Sequence, residues 1–367
     1  MTWPASEPEN LVAEQEPEAF REHQGADGSF SLWSHTFGEG FHSGRGALRE
    51  AWETFLAPSQ LERFAPGSQL RVVEVAVGTG TNLALLLEAC AARGIALEWW
   101  GLELDPRPLQ LALAARGFRL PWRPSTLQTL EQLLERGTCQ GAGASCHLLW
   151  GDARQTLPAL LEEQRGQIDL VWHDAFSPQR CPQLWTLELL GATAGLLARE
   201  GRWISYSSAA AVRQALALLG LHVVALHLPA GQLPAANSWS GGTMASFTPP
   251  APSPLWRELS AMELDHLASA AGEPYRDLSG REEAAAILMS RRGAQAEALS
   301  NGQRAASSAW RRRWGIGPSD GPPVMQGAAS ERIPTTRSCW IGPACLHDQE
   351  SPILGELEAE AARRAMG

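Results

Sequence analysis

The sequence predicts an α/β fold with a mostly parallel sheet, and two observations support this prediction. From Leu70 onwards, short apolar runs alternate with stretches whose apolar residues show helical spacing. This alternation is typical of a parallel sheet with helices on both faces. In addition, residues 168–172 form a mostly apolar run that fits a strand buried on both faces, and Asp174 follows it after one residue. Enzymes of this class place their chemistry at such strand ends.

The predicted elements follow from periodicity and from turn residues. Apolar runs predict seven strands, and helical spacing predicts six helices between them. Glycines after three of the helices are expected to act as C-caps, at Gly117, Gly137 and Gly220. The predicted strands are 71–75, 97–102, 146–149, 168–172, 202–206, 222–226 and 243–247. The predicted helices are 82–92, 108–116, 127–136, 153–161, 184–198 and 209–219.

Composition shifts divide the chain into five segments. Residues 1–26 are acidic and lack periodicity, which predicts disorder. Residues 27–69 predict a hairpin followed by a helix, with Ser43 as its N-cap. The main domain is expected at 70–250, ending at a proline cluster, and a helical extension at 251–315. The remaining residues, 316–367, are rich in Gly, Pro, Ser and Thr and are expected to be mostly disordered.

Composition also limits the class of protein. The chain has 367 residues, 44% of them hydrophobic and 19% charged, and a net charge of −10, which is a globular balance. Every cation is an arginine; arginine suits phosphate contact, although a GC-rich coding bias explains the same skew more simply. Six cysteines without a CxxC pair predict reduced thiols and no metal site. No signal segment or apolar run of about 20 residues is present, so a cytoplasmic protein without membrane contact is expected.

A glycine-rich turn follows the first strand of the main domain. It comprises Glu74 and then Gly78, Gly80 and Asn82. A dinucleotide-binding fingerprint requires a third glycine where Leu83 stands, so an NAD-dependent oxidoreductase fits poorly. S-adenosylmethionine has no phosphates, needs close backbone contact and could place its positive end near Glu74. The alternative is that the glycines only allow a tight connection between strand and helix and bind no cofactor.

Acidic residues follow the next two strands as well. Glu103 ends the second strand about 20 residues after the glycines, where an acid commonly binds ribose hydroxyls. Asp105, before Pro106, is interpreted as the cap of the next helix. Asp152 could accept a hydrogen bond from adenine, or cap helix 153–161, and the two roles are compatible.

These acids, together with the loop after Asp174, resemble a known family. The chain is similar to the methyltransferases of tRNA 5-methylaminomethyl-2-thiouridine biosynthesis, the MnmC-like group, in their stand-alone form. The resemblance covers about residues 29–314, and the loop 174–178 with Pro182 and Trp185 is its most specific part. Supporting segments are 41–50, 74–82, 151–152, 206–207, 212–213, 241–245, 274–277 and 310–314.

The resemblance implies a Rossmann-like class I fold that uses S-adenosyl-L-methionine to methylate the amine of 5-aminomethyl(-2-thio)uridine. The amine belongs to the wobble base of the tRNA anticodon stem-loop. The family usually has glycine where this chain has Ala76, which leaves cofactor affinity in question. The FAD oxidase domain of two-domain members has no counterpart after Ser246, so neither FAD nor oxidase activity is expected.

The resemblance also assigns roles to residues. Asp174 would orient the amine and accept its proton, and aromatic walls from Phe176, Trp185 and Tyr206 would desolvate the site, although core packing is an alternative for Phe176 and Trp185. The cofactor would be bound by Glu74, Gly78, Gly80, Asn82, Glu103 and Asp152. The tRNA would contact His42, Ser43, Arg45, Pro178 and Arg180, with further candidates Arg49, Arg291, Arg292 and Arg311–Arg313. A solvated helical face is the alternative for each arginine, and a structural role is the alternative for His42.

Two other functions stay open from the sequence. One is a methyltransferase of the same fold that acts on a small-molecule amine. The other is a non-catalytic scaffold, for which Ala76 in the glycine turn is the only support. The oligomeric state does not follow from the sequence.

Overall fold

The computed structural model describes residues 19–141, 143–227 and 240–316, together with residues 355, 357 and 359 of the C-terminal tail. The predicted disorder of residues 1–18 and of most of 316–367 therefore lies outside the described residues. Within the described ranges, no helix is long and apolar enough to cross a membrane.

A large sheet forms the centre of the fold, and a small sheet precedes it. Nine strands of the described chain join the large sheet in the order β12-β10-β11-β9-β8-β4-β5-β7-β6, and β4, β5, β7, β8 and β9 run parallel. The small sheet has the strands β1 (Phe20–Gln24), β2 (Phe30–Ser34) and β3 (Glu39–Gly40). The large sheet has β4 (Gln69–Val75), β5 (Ala96–Glu103), β6 (Thr138–Gly141), β7 (Ala144–Trp150), β8 (Ile168–His173), β9 (Leu197–Ser205), β10 (His222–Leu226), β11 (Gly242–Ser246) and β12 (Trp256–Glu258).

Helices connect the strands and cover both faces of the sheet. A π-helical stretch, Ala51–Leu56, joins the first two helices, and a 3₁₀ turn, Pro182–Trp185, follows β8. The helices are α1 (Ala47–Glu50), α2 (Ala57–Ser59), α3 (Thr81–Arg93), α4 (Arg107–Ala114), α5 (Arg116–Arg119), α6 (Pro124–Arg136), α7 (Ala153–Gln164), α8 (Leu187–Leu196), α9 (Ala210–Leu218), α10 (Ala261–Ala268), α11 (Ala284–Ser300) and α12 (Ser307–Arg313).

The α/β prediction is confirmed, with nine strands in place of seven. All seven predicted strands are present, and β6 and β12 extend the sheet at its two edges. Because β6 is short and mostly exposed and β12 has three residues, neither carries a clear apolar pattern.

Three local predictions differ from the structure. Phe20–Gln24 lies in the segment predicted to be disordered, yet it pairs with β2. Ser43 does not cap α1, because the N-cap is Gly46 and no side chain caps this helix. Gly117 lies inside α5 and caps nothing, whereas Gly137 ends α6 in the left-handed conformation, as predicted.

Two large clusters, one on each face of the sheet, form the core of the described chain, and a small third cluster of Met262, Trp310 and Ile316 lies in the helical extension. Strand β4 shows why each face has a large cluster, since Leu70 and Val72 belong to one of them and Val73 and Val75 to the other. Successive side chains of a strand point to opposite faces, so a strand covered on both sides is apolar throughout. Packing on both faces holds the parallel strands in place, and their carboxyl ends lie together at one edge of the sheet.

A buried ion pair holds the helical extension against the sheet. The Arg213 guanidinium, on α9, donates to Thr243 Oγ1 at 2.9 Å and to Glu263 Oε1, on α10, at 2.8 Å. Arg257 donates to Glu263 Oε2 at 2.6 Å. Although burial raises the pKa of Glu263, Arg257 and Arg213 lower it to about 2. The carboxylate is therefore ionised inside the protein and depends on its cationic partners.

We predict that Arg213→Met lowers the free energy of unfolding by about 3 kcal/mol, because Glu263 loses one of its two partners while it remains buried. Denaturant unfolding measures the loss. Arg199→Met is the control, since Arg199 is exposed, and it should change stability by less than about 0.5 kcal/mol. Equal losses in both variants would contradict a structural role for the pair.

Candidate active site

A cavity of about 380 Å³ opens at the carboxyl ends of the parallel strands. Its volume lies in the range of small-molecule sites. Eight of the residues singled out from the sequence line it: His42, Ser43, Gly78, Glu103, Asp152, Asp174, Phe176 and Tyr206. Seven others do not line it: Arg45, Glu74, Gly80, Asn82, Pro178, Arg180 and Trp185.

The glycine turn supplies the floor of the cavity through its backbone. Gly78 has φ 57°, and a Cβ atom there would lie 3.0 Å from the Phe41 ring. Gly80 has φ 78° and caps α3, and a Cβ atom there would lie 2.9 Å from Leu109. Glycine at position 78 therefore allows the Phe41 ring to pack against the turn, and glycine at position 80 allows Leu109 to do so.

Ala76 adopts a conformation that favours glycine. Its φ is 65°, one of two positive φ values among the non-glycine residues of the described chain. For an L-residue this conformation costs roughly 1–2 kcal/mol. The alanine that stands where the family usually has glycine is thus accommodated at the cost of backbone strain. This strain lies in the cavity wall, because Ala76 also lines the cavity.

Glu103 is bound to the turn, as its position at the end of β5 suggested. Its Oε2 accepts the N–H of Gly78 at 2.8 Å, and its Oε1 accepts the N–H groups of Leu104 and Asp105 at 2.8 and 2.9 Å. Burial nevertheless raises the pKa of Glu103. Asp105 accepts the N–H of Arg107 at 2.9 Å, but the N-cap of α4 is Pro106, so Asp105 is not the cap that the sequence predicted.

Glu74 is a structural residue in this protein. Its side chain is fully buried, and Oε2 accepts the Trp99 indole N–H at 3.1 Å. Burial raises the pKa of Glu74 to about 8. Glu74 does not line the cavity, so its contact with a positively charged cofactor stays a prediction.

Asp152 does cap a helix, and an arginine holds it. Its Oδ1 accepts the N–H of Arg154 at the start of α7, and its Oδ2 accepts Arg154 Nη2 at 2.7 Å. Arg154 Nη1 donates in turn to Asp277 Oδ2 at 2.8 Å. The helical extension thus reaches the rim of the cavity at Asp152, a connection that no local sequence signal shows.

Asp174 lies at the end of β8, and its side chain faces the cavity. Asn82 Nδ2 donates to Asp174 Oδ2 at 2.8 Å and orients the carboxylate, and contact of Asn82 with the cofactor stays a prediction. Burial, followed by the charge of Glu50, raises the pKa of Asp174 well above its ordinary range, against the hydrogen bond from Asn82. The carboxyl group therefore binds a proton far more strongly than an exposed aspartate does.

An aromatic cluster forms the wall beside Asp174. Phe176 stacks on Phe37 with ring centroids 4.4 Å apart and meets Phe41 edge-on at 5.0 Å. Phe37 and Phe41 flank β3 in the small sheet and line the cavity, and the sequence analysis assigned them no role in the site. Their signal was weak, because single aromatic residues next to a predicted hairpin are usually core residues.

Trp185 packs in the core behind this wall. It is fully buried beside His173, with ring centroids 4.5 Å apart, and its indole N–H donates to Phe176 O at 2.7 Å. Tyr206 lines the cavity, and its hydroxyl donates to Ala175 O at 2.8 Å. The two side chains fix the backbone of the loop, and core packing is the correct interpretation for Trp185.

Two carboxylates of the N-terminal extension join the cavity, and the sequence analysis missed them as site residues. Glu39 Oε2 accepts the N–H of Ser177 at 2.9 Å. Glu50, on α1, is 2% exposed, and its Oε2 accepts the N–H of Ser43 at 2.9 Å. His42 shares a 2.9 Å contact with Ser31 Oγ, and burial lowers the pKa of His42 to about 3, which keeps it neutral.

The candidate tRNA-binding arginines lie outside the cavity. Arg45 pairs with Glu53 at 2.6 Å, and Arg291 donates to Glu273 O and lies 4.5 Å over the Tyr275 ring. Arg313 pairs with Asp265 at 3.0 Å, while Arg180 is exposed beside Gly38. Arg291 thus has a structural role, and the contact of the other arginines with RNA stays a prediction.

Much of this chain is similar in sequence to known proteins. The family described as S-adenosyl-L-methionine-dependent methyltransferase matches residues 123–230. The tRNA 5-methylaminomethyl-2-thiouridine biosynthesis bifunctional protein MnmC of Chromobacterium violaceum is 30% identical over 251 residues, which are 62% of this chain and 37% of that protein. The protein of the same name from Pseudomonas aeruginosa is 31% identical over 200 residues, 51% of this chain and 30% of that protein. This chain therefore spans well under half the length of these relatives.

A solved structure matches a larger share of the chain. The crystal structure of MnmC2 from Aquifex aeolicus is 30% identical, with a TM-score of 0.60, and the match covers 76% of this chain and 84% of that one. This match covers a larger share of the chain than the family segment at residues 123–230.

We predict that Ala76→Gly raises the free energy of unfolding by up to about 1 kcal/mol, because relief of the left-handed strain exceeds the entropy cost of glycine. Denaturant unfolding measures the change. The control is Ala91→Gly, at an exposed position of α3, which should lose about 1 kcal/mol. Equal losses at the two positions would show that Ala76 is unstrained.

We predict that Asp174→Asn makes the fold more stable at neutral pH. A raised pKa means that the folded state favours the protonated carboxyl, so stability falls as the pH rises from the unfolded pKa towards the folded one. The neutral amide avoids this loss, and the difference from the wild type should grow between pH 3 and pH 7. Thermal melting across this range measures it.

The control for this prediction is Asp277→Asn, which should have the opposite sign. Hydrogen bonds from Arg154 and Ser279 outweigh burial and lower the pKa of Asp277, so its ionised form stabilises the fold above the unfolded pKa. Stability of the Asp277→Asn variant should therefore fall below the wild type at neutral pH. If both substitutions changed the stability at neutral pH in the same direction, the opposite pKa shifts of Asp174 and Asp277 would be contradicted.

Proposed function

We propose a function from one premise, which is that this chain belongs to the MnmC-like methyltransferase family. The chain methylates the exocyclic amine of 5-aminomethyluridine, or of its 2-thio form, at the wobble position of tRNA. S-adenosyl-L-methionine is the methyl donor, and the product is 5-methylaminomethyl(-2-thio)uridine. The observation that carries this proposal is that Asp174 and the Phe176 wall face the same cavity as the glycine turn.

The cavity has the features that the cofactor requires. Gly78 lines the cavity without a side chain, so a ligand can contact its backbone closely. Glu103 and Asp152 line the same side of the cavity, next to β5 and β7, and are the residues that we assign to the ribose and the adenine. When bound, the cofactor supplies an electrophilic methyl group on a positively charged sulfur.

Asp174 is placed to remove a proton from the substrate amine. An alkylamine is mostly protonated at pH 7 and cannot attack in that form. A carboxylate with an ordinary pKa would hold the ammonium without taking its proton, whereas Asp174 has a strongly raised pKa and is a better base. Asn82 binds Oδ2, which fixes the carboxylate in the cavity. We therefore assign to Asp174 the role of proton acceptor.

The aromatic wall positions and desolvates the base. Phe176 offers one ring face in a stack with Phe37, and the pyrimidine of a flipped wobble base can pack against such a surface. Exclusion of water lowers the pKa of the ammonium and favours the neutral amine. Orientation of the reacting atoms can contribute up to roughly 7–11 kcal/mol to the rate, so the wall should matter as much as the base.

The polynucleotide partner is a tRNA, and we assign its contact to the anticodon stem-loop. The relatives from Chromobacterium violaceum and Pseudomonas aeruginosa are named for tRNA modification. Arg180 is exposed on the loop that follows Asp174 and is the arginine best placed to meet the phosphates of a bound stem-loop.

Nucleoside mass spectrometry of tRNA tests the function. A strain that lacks the gene should accumulate 5-aminomethyl nucleosides and lose the methylated form, and the purified chain should restore it in vitro. An unchanged nucleoside profile would reject the proposal. Binding of S-adenosylhomocysteine without methylation of tRNA would instead favour a small-molecule acceptor, and no binding would favour a scaffold.

We predict that Asp174→Asn lowers kcat at least 100-fold, because the amine then lacks its proton acceptor. Phe176→Ala should raise KM for the stem-loop as well as lower kcat. The control is Asp169→Asn, at the opposite end of β8, where the side chain accepts the N–H of Arg71 at 2.8 Å. Near-normal turnover in Asp174→Asn would show that proton transfer uses another group.

A further inference from the structure

The two ends of the cavity differ in charge. Arg107 and Arg154 line it at the β5 and β7 side, where each pairs with an aspartate, Asp105 at 2.6 Å and Asp152 at 2.7 Å. At the β8 side, around Asp174, the described lining residues include two further carboxylates and no arginine. The two carboxylates are Glu39 and Glu50, and the neighbouring polar residues are Ser34, Thr36, His42, Ser43 and Tyr206.

Glu50 is the less exposed of the two additional carboxylates. It is 2% exposed, and the N–H of Ser43 donates to Oε2 at 2.9 Å, which directs the carboxylate from α1 towards the cavity. The nearby charges are Asp27, Arg45 and Asp174. Arg45 forms its ion pair with Glu53, so it does not neutralise Glu50 by direct contact.

The buried carboxylate of Glu50 and the half-buried carboxylate of Asp174 face one cavity, and the charge of Glu50 acts on Asp174. Burial raises the pKa of Glu50, against the effects of Ser43 and Arg45, and the charge of Glu50 contributes to the raised pKa of Asp174. The negative charge of Glu50 disfavours ionisation of Asp174. A cation that enters between them relieves the repulsion, whereas an anion adds to it.

We propose that Glu50 selects the charge of the substituent that this site accepts. With Asp174, it forms a carboxylate pair that binds a base carrying a cationic aminomethyl group and rejects a base with an anionic group at the same carbon. This inference rests on the proposed function, because it takes the wobble uridine as the ligand of the β8 side.

The carboxylate pair also provides an acceptor for the proton that the substrate ammonium must lose. The amine enters as an ammonium ion, and one N–H proton passes to a carboxylate oxygen of the pair. The electrons of that N–H bond remain on nitrogen as the lone pair, so charge and atoms balance without a further reactant. Glu50 forms no covalent bond, and its contribution is the charge that makes Asp174 a stronger base.

The experiment compares the binding of two matched RNAs without the cofactor. One is an anticodon stem-loop with 5-aminomethyluridine at the wobble position, and the other carries 5-carboxymethyluridine there, which exchanges the ammonium for a carboxylate. Dissociation constants are measured for the wild type, Glu50→Gln and Glu50→Asp, with melting temperatures as a check on folding. Glu62→Gln is the control, because it removes the same charge from an exposed residue.

The wild type should prefer the cationic stem-loop, and Glu50→Gln should reduce this preference about tenfold or more, the effect of one charged interaction. Glu50→Asp should recover part of it, and Glu62→Gln should leave it unchanged. In turnover, the acid limb of the pH profile should move to lower pH in Glu50→Gln, because Asp174 loses a like charge.

An equal preference in the wild type and in Glu50→Gln would overturn the inference and leave the proposed function standing. Equal weakening of both RNAs in Glu50→Gln would also overturn it, since a purely structural role has that effect. A wild type that binds the two stem-loops equally would reject both the inference and the proposed assignment of the substrate.

Discussion

The backbone of the loop after Asp174 is the feature on which the site depends. Four hydrogen bonds from different parts of the fold hold it. Asp174 N donates to Val75 O at 3.0 Å, and Ser177 N donates to Glu39 Oε2 at 2.9 Å. The Tyr206 hydroxyl donates to Ala175 O, and the Trp185 indole donates to Phe176 O. Because the loop is held on all sides, Asp174 and Phe176 keep fixed positions in the cavity, as catalysis by orientation requires.

The two extensions of the sheet domain contribute directly to this site. The N-terminal extension brings Phe37, Phe41 and Glu50 to the β8 side, and the C-terminal extension reaches Asp152 through Arg154 and Asp277. A bare Rossmann-like domain would leave the cavity open to water on both of these sides. The buried pair of Arg213 and Glu263 therefore matters for function too, since it fixes the C-terminal extension in place.

Several charged groups of the site are held in states that are unfavourable for stability. Burial raises the pKa of Glu103 and of Asp174, and Ala76 adopts a left-handed conformation in the same wall. Stability and activity place opposite demands on such residues. Asp174 shows the conflict most clearly, because the raised pKa that weakens the fold at neutral pH is also what makes the carboxylate a useful base.

The sequence by itself determined the order of strands and helices and the positions of acids at strand ends. Periodicity and glycine turns depend on neighbouring residues, so β4 to β11 were predictable except for the edge strand β6. Glu103, Asp152 and Asp174 were found because the carboxyl ends of parallel strands meet at one edge. Tertiary structure decided which side chains enter the cavity, because entry depends on contacts between segments distant in sequence. It buried Glu74 against Trp99, turned Asn82 towards Asp174, placed Trp185 behind the wall, and brought Phe37, Phe41 and Glu50 to the site.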